Sequence, residues 1–313
     1  MECNMTGNVL LYDNKPKRHH YIPVFYLKRW SGPDGRLCEF SRPFGPRVKP
    51  RMTHPTGTGF EERLYSIRDA DPHVANILEE RFFQVTDTQA ARILERFERT
   101  GLAGEWSGDD RSAWSRFLIS LVLRAPSDIA ALRAHWDITF SEPDADAEQA
   151  YQDQRSISDA PTFREHLKSM PLSRSDPFLF DAFVPMIDNI KIGTRINGMF
   201  WSIANTGSAK FEFLTSDRPV VRRGLNDPGG HIALPIGPRK LFVASSKATY
   251  DQFKKMNVND LVRQVNREVV EHAEKLVFGS SDAQLRFVSN RLGAEPQPGL
   301  LRVRERKSTR PPE

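Results

Sequence analysis

Between residues 74 and 97 the apolar side chains fall at three- and four-residue steps. Val74, Ile77, Leu78, Phe82, Val85, Ile93, Leu94 and Phe97 form one stripe, the mark of an amphipathic helix with one buried face. Gly101 stops it. A second helix is predicted from about Asp109 through Trp114, Phe117, Leu118, Leu121 and Val122. Its Gly-Asp-Asp start suits a cap, and Pro126 ends it just after Arg124. A third runs from roughly Ser127 to Phe140. Asp181 to Lys191 resumes a helical pattern that Gly193 to Asn197 closes. Asn257 to Lys275 holds the same period through Val258, Leu261, Val262, Val265, Val269 and Ala273.

The two ends of the chain follow a shorter rhythm. Arg36 to Ser41 alternates as a half-buried strand does. Val24 to Trp30 carries too many aromatics for a helix, and the proline- and glycine-rich stretch 43–59 reads as an extended connection with one short strand near Val48. Met199 to Ala204 and Lys210 to Thr215 suggest a hairpin turning at Asn205 to Ser208. His231 to Ile236 and Lys240 to Ser245 make two more strands around Gly237-Pro238. Val277 to Ser280 is a last strand before a final helix from Asp282. Helices in the middle and strands at both ends predict an α+β fold rather than an alternating parallel sheet. The expected form is a single domain over 17–295, its mostly antiparallel sheet built from N- and C-terminal segments around a helical middle region. A polar insertion at about 142–177 holds one helix near Thr162 to Lys168. Residues 1–16 are expected to be flexible, and 296–313 to form a basic, loosely ordered tail.

Composition narrows the class. The 313 residues are 39% hydrophobic and 27% charged with a mean hydropathy of -0.52, values of a soluble protein. No apolar run approaches the ~20 residues of a membrane-spanning helix, and the N-terminus lacks the pattern of a secretory signal. Cys3 and Cys38 are too few for a disulfide framework or a zinc knuckle. A cytoplasmic protein with no membrane partner is therefore expected. The net charge of +5 is unevenly spread. Lys15 to Arg51 holds ten Lys and Arg against Asp34 and Glu39, a basic region suited to nucleic acid as partner. Asp137 to Asp159 holds seven acids against Arg155. No Walker loop, dinucleotide-binding glycine run or nucleophile elbow is present.

The densest chemistry is Lys17 to Trp30, with His19 and His20 adjacent. In extended backbone the two point to opposite sides, so one imidazole faces a pocket while the other anchors backbone, and joint ligation of a metal is disfavoured. Glu80 and Asp87 lie seven apart, two helical turns, with carboxylates on nearly the same face. Arg124 at a helix end beside Pro126 offers a two-pronged donor to phosphate or carboxylate. Asp217 follows an apolar strand and precedes Pro219, where Asp either serves chemistry or caps a turn. Asn266 lies mid-helix among apolar neighbours, where a buried amide must find partners.

Several of these segments together resemble the DUF4238 family, a large bacterial group without an established general function. The likeness is carried by His19-His-Tyr-Ile-Pro23 with Phe25-Tyr-Leu27, the Glu79-Glu80 helix, the helix ending Arg124-Ala-Pro126, the Thr215-Ser-Asp-Arg-Pro219 turn and the Asn266 helix. It spans roughly Lys17 to Asp282 and implies one continuous domain. The family pattern places a glutamine one turn before the arginine, where this chain has Leu121.

Two functional classes follow, the first the leading one and the second its alternative. One is a phosphodiester hydrolase, nuclease-like and of a defence or toxin type. Its site is His19, His20, Glu80, Arg124, Asp217 and Asn266, with a divalent metal ion as possible cofactor: an imidazole as base or ligand, carboxylates orienting it, and Arg124 stabilising charge on phosphorus oxygens. The other is a non-enzymatic binding or interaction module in which the same residues are a buried structural network.

Overall fold

The computed structural model describes residues 18–71, 75–140, 143 and 145–297. The expected flexible segment 1–16 lies outside the described residues, as does the expected tail 296–313 apart from residues 296 and 297. The chain opens with β1 (Arg18–His20), a short helix α1 (Val24–Leu27) continued as a 3-10 turn (Lys28–Trp30), then β2 (Leu37–Ser41), β3 (Lys49–Thr53) and β4 (Phe60–Glu62). The aromatic run 24–30 is thus helical, contrary to expectation. Pro23 starts the turn from extended backbone, its carbonyl accepting the amides of Tyr26 and Leu27 at 3.1 and 3.0 Å. Burial then overrides propensity. Tyr26 and Trp30 are fully enclosed, and each polar tip is satisfied. The Tyr26 hydroxyl donates to the Pro235 carbonyl and meets the Thr215 hydroxyl, both at 2.7 Å, while Trp30 Nε1 donates to the Phe213 carbonyl at 2.8 Å.

The middle of the chain is helical. A π-helical turn (Glu79–Phe83) leads into α2 (Gln84–Thr100), which Gly101 stops with a φ of 60°. In α3 (Gly108–Leu123) the cap is Ser107, whose hydroxyl accepts the Asp110 amide at 3.0 Å, one residue before the expected Gly-Asp-Asp start. Next come α4 (Pro126–Phe140), with proline at the favoured first position, α5 (Ala145–Gln154), α6 (Phe163–Ser169), α7 (Leu172–Ile187) and α8 (Ile190–Gly198). Residues 142–177 therefore hold two helices and the start of a third where one was expected. Tyr151 stacks on Phe163 at 5.2 Å, joining α5 to α6. Asp176 of α7 accepts the Arg68 amide at 2.8 Å and its guanidinium at 2.7 Å, tying this region back to the loop after β4. Helix α8 runs through Gly193 to Asn197, where a helix end was expected.

The last third contains β5 (Phe200–Asn205), β6 (Thr215–Ser216), β7 (Val221–Arg222), β8 (His231–Gly237), β9 (Lys240–Ser245), α9 (Lys247–Lys255), α10 (Val258–Glu271), β10 (Val277–Gly279) and α11 (Leu285–Ser289). All pairings are antiparallel: β1 with β4, then β3-β2-β10-β6, then β5-β9-β8-β7. The second of these sheets joins N- and C-terminal segments, so the fold is α+β with a helical middle. The expected hairpin of 199–204 with 210–215 is corrected: β5 pairs with β9, and residues 210–214 form no ladder. The Phe213 amide goes to the Pro238 carbonyl and the Leu214 amide to the Asn266 side chain, both at 2.8 Å.

The main core lies between α2, α3, α7 and the β8-β9 face, where Phe97, Trp114 and Phe242 meet with ring centroids 5.0 to 5.6 Å apart. A smaller core under β7, β8, β9 and α10 gathers Val221, Ala233, Val243, Leu261 and Val265. Among the described residues no helix is long and apolar enough to cross a membrane.

Candidate functional site

Arg124, at the C-terminal end of α3, is fully buried. Its Nε donates to the Tyr21 carbonyl and its Nη1 to Asp87 Oδ1, both at 2.9 Å. The guanidinium carbon lies 5.5 Å from the Phe83 ring centre and 5.9 Å from that of Phe117, so aromatic faces replace its hydration. The Arg124 carbonyl accepts the Tyr65 hydroxyl at 2.6 Å. The Tyr65 amide in turn donates to His19 Nδ1 at 3.0 Å, and the two rings stack at 5.6 Å. A continuous polar chain from His19 through Tyr65 and Arg124 to Asp87 thus joins β1, the loop after β4, α3 and α2. Since His19 Nδ1 accepts a proton-bearing amide, the neutral ring carries its proton on Nε2.

The alternation expected of the histidine pair fits β1: His19 is buried and His20 half-buried. His20 packs its ring against Phe60, and its Nε2 has no hydrogen-bond partner. Burial lowers its pKa, a hydrogen bond with the Thr56 backbone opposes this, and the charges of Arg124 and Arg18 add to the lowering.

The carboxylate that feels the charges of Arg124 and Asp87 is that of Glu79; Glu80 follows it and is half-buried. The π turn explains the shift. It inserts one extra residue into the helical count, so eight residues from 79 to 87 cover the two turns that seven cover in an α-helix. Burial pushes Glu79 up to about 7, with Arg124 pulling down and Asp87 pushing up. Asp87 is also raised by burial, against the charge and hydrogen bond of Arg124. Two buried polar atoms here have no hydrogen-bond partner, Glu79 Oε2 and Arg124 Nη2.

Asp217 occupies a separate turn. Its Oδ1 accepts the Glu274 amide at 2.9 Å, and its Oδ2 accepts the amides of Lys275 and Leu276 at 2.7 and 2.9 Å. Burial raises it to about 6 while the three amides pull the other way. The next residue, Arg218, is the hub of an ion network that sequence reading missed. It pairs with Asp128 and with Glu274 at 2.5 Å, and donates to the Ser127 hydroxyl at 2.6 Å and the Val122 carbonyl at 3.1 Å. Those partners lie far away in sequence, so no local spacing signals them.

Tyr21 and Asp217 line one cavity of about 280 Å³, together with Glu61, Ser127, Glu274 and Lys275. Three acids against one lysine favour a cation over a phosphate there. Asn266 does not line this cavity. Its Oδ1 accepts the Leu214 amide and its Nδ2 donates to the Glu212 carbonyl, both at 2.8 Å, pinning the segment that replaces the expected strand. Of the predicted residues, His19 and Arg124 are therefore linked through Tyr65. Asp217 is their neighbour across Tyr21, while Asn266 serves a different element.

Within the basic region, Arg29 pairs with Glu98 at 2.6 Å and Arg51 with Glu39 at 3.0 Å. Lys15 and Lys17 lie outside the described residues. Among the described residues no three His, Cys, Asp or Glu side chains are grouped to hold a metal ion. No match is found among curated proteins or among solved structures. The model of DUF4238, described as a protein of unknown function, matches residues 18–283 and takes in every candidate residue named above; the chain belongs to that family.

Proposed function

We propose that this chain is a non-enzymatic binding or interaction module in which the histidine, carboxylate and arginine residues form a buried structural network. The observation that carries this reading is the saturation of Asp217: both carboxylate oxygens are spent on three backbone amides of residues 274 to 276. A carboxylate so engaged braces a turn and has little left for a substrate. Arg124 supports the same reading, being fully enclosed with two nitrogens committed within the protein. So does Asn266, whose amide serves backbone. The cavity beside Asp217 is acid-rich, which opposes a polyanionic substrate. Tyr26 and Trp30 are buried and present no face on which bases stack.

The nuclease-like phosphodiester hydrolase is the second reading, and one observation favours it. Glu79 Oε2 and Arg124 Nη2 are buried without partners, and Glu79 is pushed up to about 7. In that reading Arg124 holds a phosphoryl oxygen and Glu79 moves a proton near neutral pH. The deciding experiment incubates the full chain with labelled single- and double-stranded RNA and DNA in Mg²⁺, Mn²⁺ or EDTA. The module reading expects every substrate to remain intact. Cleavage by the wild type that disappears in Glu79→Gln or His20→Ala overturns it.

A further inference from the structure

The smaller core contains a partly enclosed cavity of about 160 Å³ between the β5-β9-β8-β7 sheet and helices α9 and α10. Its origin is visible in the strand register. Ser202 and Ala233 both lie opposite Val243, and Ala204 lies opposite Leu241, so short side chains recur on the face that α10 covers. Leu261 and Val265 of α10 close it from above. Interiors of this kind are normally packed with few voids larger than a water molecule. An apolar cavity of roughly 150 Å³ stays dry and accepts a benzene-sized guest.

The polar edge of the cavity gives the guest a direction. Lys254 and Glu268 carry opposite charges, so the edge asks for no net charge on a ligand. His231, also in the lining, is almost fully buried, with Nδ1 2.9 Å from the Gly229 carbonyl. A carbonyl only accepts, so the ring proton sits on Nδ1 and Nε2 is left as an acceptor. We infer that this cavity is a binding site for a small neutral ligand with a single ring and one hydrogen-bond donor, of the phenol type. The inference supplies a ligand class to the module reading and rests on that reading. The two fail separately, because cleavage of nucleic acid does not empty this cavity, and an empty cavity does not create cleavage.

The test titrates phenol, with benzoate and benzylammonium as charged controls, into the full chain and follows binding calorimetrically and by melting temperature. Saturable phenol binding with a rise in melting temperature is expected, with both ions at least about tenfold weaker. Ala233→Leu fills the cavity from the sheet and Val265→Phe from the helix. Each folded variant is expected to weaken phenol binding about tenfold or more. Amide shifts in the wild type provide a measurement independent of variant folding, and phenol is expected to move Ala233, Val243 and Val265. Absence of saturable binding, shifts confined to other regions, or undiminished binding by a folded filled variant overturns the proposal.

Discussion

Asp217 is buried and Glu79 half-buried, and burial raises both acids above the usual carboxylate range, to about 6 and about 7. Their surroundings differ in one respect. Asp217 receives three backbone amides, whereas Glu79 Oε2 receives no donor, and Arg124 Nη2, whose charge acts on Glu79, has no acceptor. Burial alone thus does not separate a brace from a reactive group. The number of donors aimed at the carboxylate does.

The largest effect is expected at the arginine that borders both regions. Arg124→Ala removes a guanidinium packed beside Phe83 and Phe117, leaves Asp87 without its counter-charge, and frees the Tyr21 carbonyl. Urea unfolding is expected to show a loss of about 4 kcal/mol; a loss under about 1 kcal/mol would mean that the network is not a brace. Asp217→Asn keeps the shape but turns one acceptor into a donor facing amides. A loss of about 2 kcal/mol is expected by the same measurement, and an unchanged midpoint would erase the contrast with Glu79. Glu79→Gln sharpens it in the opposite direction. The folded pKa of about 7 lies above the ordinary 4.5, so the stability this group contributes is complete below pH 4.5 and lost as pH rises through about 7. Wild type and Glu79→Gln should therefore melt alike at pH 4.5. At pH 8 the variant should be more stable by about 1 kcal/mol. A variant less stable at pH 8 would show that ionised Glu79 is favourably held.

Periodicity made the long elements legible: the stripe ending at Phe97, its stop at Gly101, the α10 helix and the β8-β9 pair all follow from local patterns. The segment 210–214 misled because alternating residue types in the sequence fix neither which side chains are buried nor what the amides bond. In a strand Phe211 and Phe213 would share one face, yet Phe211 is exposed and Phe213 buried, and the backbone is held by Pro238 and Asn266. The choice of Glu80 over Glu79 followed ideal helical geometry, which the π turn breaks by one residue. Arg218 was invisible because its charged partners come from the start of α4 and from Glu274, past the end of α10, brought together only by the tertiary fold.

The anchoring of α1 has a consequence for the order in which the chain assembles. The hydroxyl of Tyr26 finds its partners 189 and 209 residues downstream, and the indole of Trp30 finds its partner 183 residues downstream. During synthesis at ~5–20 residues per second, this stretch leaves the ribosome tens of seconds before β6 and β8 exist to receive it. The Tyr26 hydroxyl and the Trp30 indole must wait for these partners, and closing so long a loop costs entropy before their contacts reward it. This part of the molecule is therefore made early and locked late, and a nascent chain stalled before Thr215 lacks the partners that take the polar tips of Tyr26 and Trp30.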